Sequence, residues 1–310
     1  MKDSITTSHI SVASPPPVPD GAKAKITLHG APKTLLVPLY CRSRDCQNER
    51  PILNDKWAGY VLQQIDFNFN DFSLTPFFCN TITLRARYFD QWTTDFLEQH
   101  RHQPVTVLHL ACGLDARAHR VPWFNDNRDM VRWIDIDLPE VVELRRKLLP
   151  NPQGDYQLVA GSVLDDAVLN AVPNDRPTVV IFEGLIMYLE ASDAENLIHR
   201  LCSRFERKGG ELQFDGLGWM SLAVQRWSRI FVNLAFLKQS KAEWHYAIDD
   251  PLALEQLHPG LKLVSDVLLY DNEGIEELPS SQQWEAWMLS HLPGFRYISR
   301  VIRFRVLKSD

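Results

Sequence analysis

The stretch Val105-Thr-Val-Leu-His-Leu-Ala-Cys-Gly-Leu-Asp-Ala-Arg117 (VTVLHLACGLDAR) decides how the rest of the chain is read. Val105, Val107, Leu108 and Leu110 form a short apolar run, and the small residues Ala111, Cys112 and Gly113 follow at once. That pattern predicts a buried strand entering a tight turn. Leu114 to Arg120 then predicts the first turns of a helix. In doubly wound α/β proteins, such a strand, turn and helix receive a nucleotide-like ligand at the strand's carboxyl end. A second strand over 131–136 ends in Asp137-Leu138-Pro139, about 20 residues beyond the turn, where a carboxylate can take both hydroxyls of a ribose. The turn alone, Ala111-x-Gly113-x-x-Ala116, suits a dinucleotide as well as any other adenosine ligand.

Working outward, strands over 105–110, 131–136, 156–160, 178–182 and 211–214 alternate with helices beginning near Leu114, Leu138, Asp165 and Ser192. This alternation argues for a mostly parallel sheet. Upstream, Asn54 or Asp55 caps one helix, and Thr75-Pro76 opens a longer one that carries Arg85 and Arg87. The two arginines are two positions apart, so one helix face cannot hold both. Residues 1–33 are poor in large apolar side chains and contain SPPPVPDG, which reads as a mobile tail. Residues 34–103 are expected to form a helical cap, and residues 104–310 the ligand-binding catalytic domain. Within that domain, 216–250 breaks the rhythm with Trp219, Trp227, Phe231, Phe236, Trp244 and Tyr246. This aromatic stretch is expected to be a helical lid over the site, reaching to about residue 258. A strand over 261–270, a helix over 284–289 and a final edge strand over 297–307 complete the chain.

Composition narrows the partners. A net charge of −6 and a pI near 5.9 argue against nucleic acid, which wants a basic face. No apolar run is long enough to span a bilayer and no signal peptide is expected, so a cytoplasmic protein without a membrane partner is predicted. The five cysteines are scattered and lack metal-ligand spacing, so reduced thiols and no metal site are expected.

Four ordered blocks, LACGLDAR, WIDIDLPEVVELRRKLLP, GSVLDD and IFEGLIMYL, decide which adenosine ligand is meant. Together they resemble the leucine carboxyl methyltransferase family, in particular its branch of small-molecule O-methyltransferases of polyketide biosynthesis. The resemblance runs from about Thr34 to the C-terminus. It implies a Rossmann-like class I fold with a seven-stranded sheet whose last strand is antiparallel, and S-adenosylmethionine (SAM) as the cofactor.

The cofactor-binding candidates follow from those blocks. Gly113 lets the backbone approach the methionine part of SAM, and a helix starting at Leu114 favours its carboxylate. The resemblance aims Arg85 at that carboxylate, with Arg87 as the alternative if the alignment slips. Asp137 is the ribose ligand by position. Asp135 shares its strand face and is the fallback. Leu138 is expected against the adenine, bordered by Ser162, Val163 and Leu164. Relatives carry an aspartate where Val163 aligns, which leaves the adenine amino contact to Ser162 or Asp165. Ala111 replaces the usual first glycine, tolerable if its φ stays negative.

Glu183 ends the apolar strand TVVIFE, where a charge is rarely placed without a partner. The resemblance sets it beside the amino-acid part of the cofactor, with Tyr188 one turn on. A carboxylate acceptor needs no base, whereas a phenol does, and His245 and His258 are the lid histidines able to serve. The expected activity is methylation of a small polyketide-like acceptor, first at a carboxylate and second at a phenolic or enolic hydroxyl. A SAM-binding cyclase and a non-catalytic SAM- or metabolite-binding protein stay open on sequence alone.

Overall fold

The computed structural model describes residues 14–28, 30–123, 130–231 and 242–309. Seven strands form one sheet: β1 (Val105–Leu110), β2 (Val131–Asp137), β3 (Asp155–Ala160), β4 (Thr178–Phe182), β5 (Gly210–Leu217), β6 (Leu261–Leu268) and β7 (Ser299–Val306). Their spatial order is β3-β2-β1-β4-β5-β7-β6. The first five run parallel, and β7 is antiparallel to both of its neighbours. Order reverses between β1 and β4, and the crevice above the carboxyl ends of strands at such a switch point is where open α/β sheets bind ligands. This is the Rossmann-like architecture expected of class I SAM methyltransferases.

The central strands read as continuous apolar runs because both of their faces are covered; every residue of β1 and β4 is buried. On one face Leu108, Leu110, Val180, Phe182 and Phe214 pack against Leu197 and Leu201 of α7 (Ala191–Phe205). On the other, Val107, Trp133 and Ile181 pack beneath Phe89, Trp92 and Phe96 of α3 (Pro76–Gln99). Thr75 caps α3 by accepting from the Phe78 amide at 3.1 Å, and Asp55 caps α2 (Lys56–Gln63) by accepting from the Ala58 amide at 3.0 Å. With α1 (Leu36–Asp45), these helices enclose a separate core built on Leu36, Leu39, Trp57, Val61 and Phe72. The remaining helices are α4 (Arg117–Arg120), α5 (Pro139–Leu148), α6 (Asp166–Ala171), α8 (Trp219–Phe231) and α9 (Ser280–His291).

Two expectations are corrected here. The stretch expected to be a free tail is docked in its second half. Ala24–Lys25 pairs in parallel with Ile65–Asp66, while Val18, Ile26 and Leu28 pack on the N-terminal core. Residues 1–13 lie outside the described residues. The last strand is not at the edge, since β7 lies between β5 and β6. Its apparent alternation comes from arginines that are paired within the sheet: Arg303 grips Glu211 of β5 with two hydrogen bonds of 2.8 and 2.9 Å. The expected lid is described in part, as α8 and then residues 242–258. The Trp227, Phe231 and Phe236 side chains lie outside the description. No helix among the described residues is long and apolar enough to cross a membrane.

Candidate active site

A cavity of about 650 Å³ opens above the carboxyl ends of β1, β2 and β4. Its size is that of a small-molecule site. Among its lining residues are Arg85, Gly113, Asp137, Leu138, Ser162, Val163, Leu164, Glu183 and Tyr188. Residues more than a hundred positions apart in the chain are thus gathered on one wall.

The turn after β1 is tighter than expected. Gly113 has φ +54°, and Ala111 also enters the left-handed region, at φ +49°. The expectation of a negative φ at Ala111 is therefore wrong, and its Cβ is carried there at a cost of roughly 1–2 kcal/mol. The helix expected from Leu114 is the single turn α4, which starts only at Arg117. Arg145 of α5 explains the delay. Its guanidinium takes the carbonyls of Gly113 (3.0 Å) and Asp115 (2.6 Å), acceptors that a helix starting there would use itself. No helix N-terminus therefore points at this edge from Leu114.

The two aspartates of β2 do different work. Asp137 lies at the strand's end and in the cavity wall, where Oδ2 accepts from the Gly113 amide (2.6 Å) and Oδ1 from the Leu138 amide (2.7 Å). Each oxygen keeps a lone pair for a further donor. Burial pushes this carboxyl up, against the pull of the two amides. Asp135, the fallback, is fully buried and does not line the cavity. It accepts from Arg145, Tyr156 and Trp133, each at 2.7 Å, and so fixes the arginine that shapes the glycine turn. The site reading of Asp135 is replaced by this supporting role.

Arg85 and Arg87 separate as their spacing requires. Arg87 faces outward in a two-pronged pair with Glu277 (2.7 and 3.0 Å). Arg85 reaches the cavity floor, where it binds Glu183 Oε1 (2.9 Å) and Asp215 Oδ2 (2.8 Å). The other Glu183 oxygen meets Arg117 at 2.7 Å. Burial alone would push the Glu183 carboxyl up, but Arg85 and Arg117 outweigh it and hold it below its ordinary range. Asp215 moves the other way, raised by burial and by the neighbouring Glu183 charge. Behind this pair, Arg42, Arg117 and Arg120 are bridged by Asp55, Asp90 and Asp115.

Tyr188 lines the cavity and donates to Thr34 Oγ1 at 3.2 Å, and burial raises its phenol so that it stays protonated at neutral pH. Ser162 Oγ accepts from the Leu164 amide at 3.2 Å, and Asp165 is occupied as the cap of α6. His245 is not in the cavity. Its ring is turned to Glu190 (3.2 Å) while its neighbour Trp244 lines the wall. His258 is also elsewhere, 3.2 Å from Glu206. The expected catalytic role of His245 is therefore withdrawn.

Asp215, Arg117, Arg145 and His109 escaped sequence reasoning. Asp215 carried the same signal as Glu183, a carboxylate closing an apolar strand (ELQFD). Arg117 and Arg145 carried none, because arginine at a helix reads as a surface residue, whereas His109 did carry one, a polar side chain inside the apolar run of β1. His109 lies in the cavity wall, and its Nε2 accepts from Arg117 at 3.1 Å.

The residues present fit SAM. A backbone turn with two left-handed residues offers close approach, Asp137 retains free lone pairs, and Leu138 and Val163 give an apolar flank. In the floor network four guanidiniums face five carboxylates, an excess that suits a ligand bearing a sulfonium.

Comparison with known proteins agrees. The family model for leucine carboxyl methyltransferases matches residues 36–202. The tetracenomycin polyketide synthesis O-methyltransferase TcmP of Streptomyces glaucescens is 33% identical over 279 residues, 90% of this chain and 98% of its own. The SAM-dependent methyltransferase dpfgK of Gibberella zeae is 36% identical over 257 residues, 77% of this chain and 83% of its own. A DUF574-family protein of Streptomyces avermitilis has the same fold, with a TM-score of 0.55 at 12% identity over 89% of this chain and 97% of that one. The chain belongs to the leucine carboxyl methyltransferase family and is a SAM-dependent methyltransferase acting on a small secondary metabolite.

Proposed function

We propose that the accepting oxygen is a carboxylate of a small, largely apolar metabolite, so that the product is a methyl ester. The observation that carries this reading is that the proton acceptors at and behind the cavity floor are already engaged. Glu183 and Asp215 are held by Arg85, and His109 accepts from Arg117. A carboxylate with a pKa near ~4 is ionised at neutral pH and needs no base, whereas a phenol near ~10 does.

Asp137 takes the ribose, Leu138, Ser162, Val163 and Leu164 border the adenine, and Arg85 and Glu183 receive the carboxylate and ammonium of the amino-acid part. SAM, when bound, supplies a methyl group on a sulfonium that an incoming oxygen displaces in line. The chain's own part is to align that oxygen and exclude water. Tyr188 lines the cavity with its proton given to Thr34, so its hydroxyl oxygen is left to accept from a donor group of a bound ligand.

A hydroxyl acceptor is the second reading. It is favoured by the likeness to an O-methyltransferase of polyketide synthesis.

The test is to incubate the protein with SAM and aromatic acceptors bearing a carboxylate, a phenol or both, and to follow the product by mass. A product cleaved by mild alkali, formed at a rate nearly flat from about pH 6.5 to 8.5, is expected. An alkali-stable product whose rate climbs with pH would move the hydroxyl reading to first place.

A further inference from the structure

α9 turns its charge inward and its tryptophans outward. Glu285 and Leu289, one turn apart, line the cavity, while Trp284 and Trp287 are 61% and 58% exposed. A helix placed only to cover a core would do the reverse. Glu285 has no ion pair or hydrogen bond among the described residues. Arg87 of α3 is spent on Glu277. A carboxylate facing a cavity without a partner is an acceptor awaiting a donor.

The position of this carboxylate is well defined. Asn80 of α3 donates to Gln282 of α9 at 2.8 Å, which ties the two helices together. Beside Glu285, Tyr270 stacks on Phe77, with ring centroids 6.2 Å apart and planes 10° from parallel. Phe77 is about 12 Å up α3 from Arg85 at the ordinary rise of a helix, so Glu285 and Tyr270 mark the end of the cavity away from the floor. Burial, with the Glu285 charge adding to it, pushes the Tyr270 phenol up to about 12, so it remains a donor. Between the two ends the walls are apolar and aromatic: Phe77, Ile82, Leu217, Val224, Trp244 and Leu289. Such walls take a flat, aromatic molecule.

We propose that Glu285, with Tyr270 beside it, determines acceptor specificity by accepting a hydrogen bond from a ring hydroxyl of a flat aromatic acceptor. This role rests on the proposed methyl transfer for the direction in which the acceptor lies. Glu285 repels an acceptor's carboxylate, so a hydroxyaryl carboxylate enters with its carboxylate away from α9 and its hydroxyl toward it.

The test uses the full chain loaded with S-adenosylhomocysteine, with naphthol and its methyl ether as probes and calorimetry as the readout. The native protein is expected to bind naphthol ~10-fold or more tightly than the ether, the ordinary worth of a hydrogen bond to a charged group. Glu285→Leu should bring the two affinities together. Glu285→Gln, which keeps size and an acceptor oxygen but loses the charge, should leave a preference of a few fold and serves if the leucine variant fails to fold. Equal affinities in the native protein, a preference that survives Glu285→Leu, or no binding of either probe would each overturn the proposal. Failure of the methyl-transfer reading shows in a different readout, the absence of methylated product with every acceptor and SAM, and leaves the naphthol preference untouched.

Discussion

At the carboxyl edge of the sheet the cavity is walled by backbone and by the Arg85–Glu183 pair (2.9 Å), which Asp215 and Arg117 back at 2.8 and 2.7 Å. Between α3 and α9 it is walled by side chains, mainly apolar and aromatic, with Glu285 unpaired among the described residues. The floor has one geometry because each charge has partners that would be left buried and unpaired by any shift. The far end has only packing and helix position to define it, and packing tolerates exchange of one apolar residue for another of similar size. In the proposed function the cofactor takes the first end and the acceptor reaches the second.

The largest effect should separate the two ends by stability. Arg117 is fully buried against Asp90, Asp115 and Glu183, so Arg117→Ala should cost ~3–5 kcal/mol in urea unfolding. Leu289→Ala at the far end, half-buried, should cost about 1–2 kcal/mol. Equal costs would erase the distinction.

The helical cap beside the floor should also respond to acid. His119 stacks on Trp57 with ring centroids 4.0 Å apart and shares hydrogen with the Pro150 carbonyl at 3.1 Å. Burial, with Arg145 adding, lowers it to about 4. The unfolded chain binds this proton near pH ~6.5 and the folded chain does not, so stability is full above that pH and falls as pH drops toward 4. A loss of roughly 2–3 kcal/mol is expected between pH 7 and pH 4, measured by urea unfolding. His119→Gln should flatten that slope, and an unchanged slope would remove His119 as its cause.

A smaller contrast lies on α3 itself. Arg85→Ala should weaken SAM binding by ~1.5–3 kcal/mol. Arg87→Ala, which removes a pair with a well-exposed Glu277, should leave that affinity unchanged and cost less than ~1 kcal/mol of stability. The reverse ranking would place the cofactor on the other side of the helix.

Much of the floor was legible in the chain because strands and tight turns leave local marks. The apolar run to Leu110, the small residues after it, the acidic end of β2 and Glu183 at the end of β4 could each be read from residues next to one another. What escaped depends on contacts between distant segments. Arg145 arrests the helix that Leu114 promised, and the strain at Ala111 follows from the turn it shapes. Asp135 and Asp137 point to one strand face by sequence, yet α5 covers the first and leaves the second open. His245 looked available because nothing local shows that Trp244 faces the cavity while its neighbour meets Glu190. Glu285 gave no sign, since a glutamate in a helix reads as solvated until the position of that helix is known.

The most direct test of the account is calorimetric titration of the native protein and of Asp137→Ala with SAM and with NAD. The account predicts that SAM binds the native protein, that NAD shows no comparable binding, and that Asp137→Ala weakens SAM by ~1.5–3 kcal/mol, the worth of a hydrogen bond to a charged group. Comparable binding of NAD, or an unchanged SAM affinity in Asp137→Ala, would contradict it.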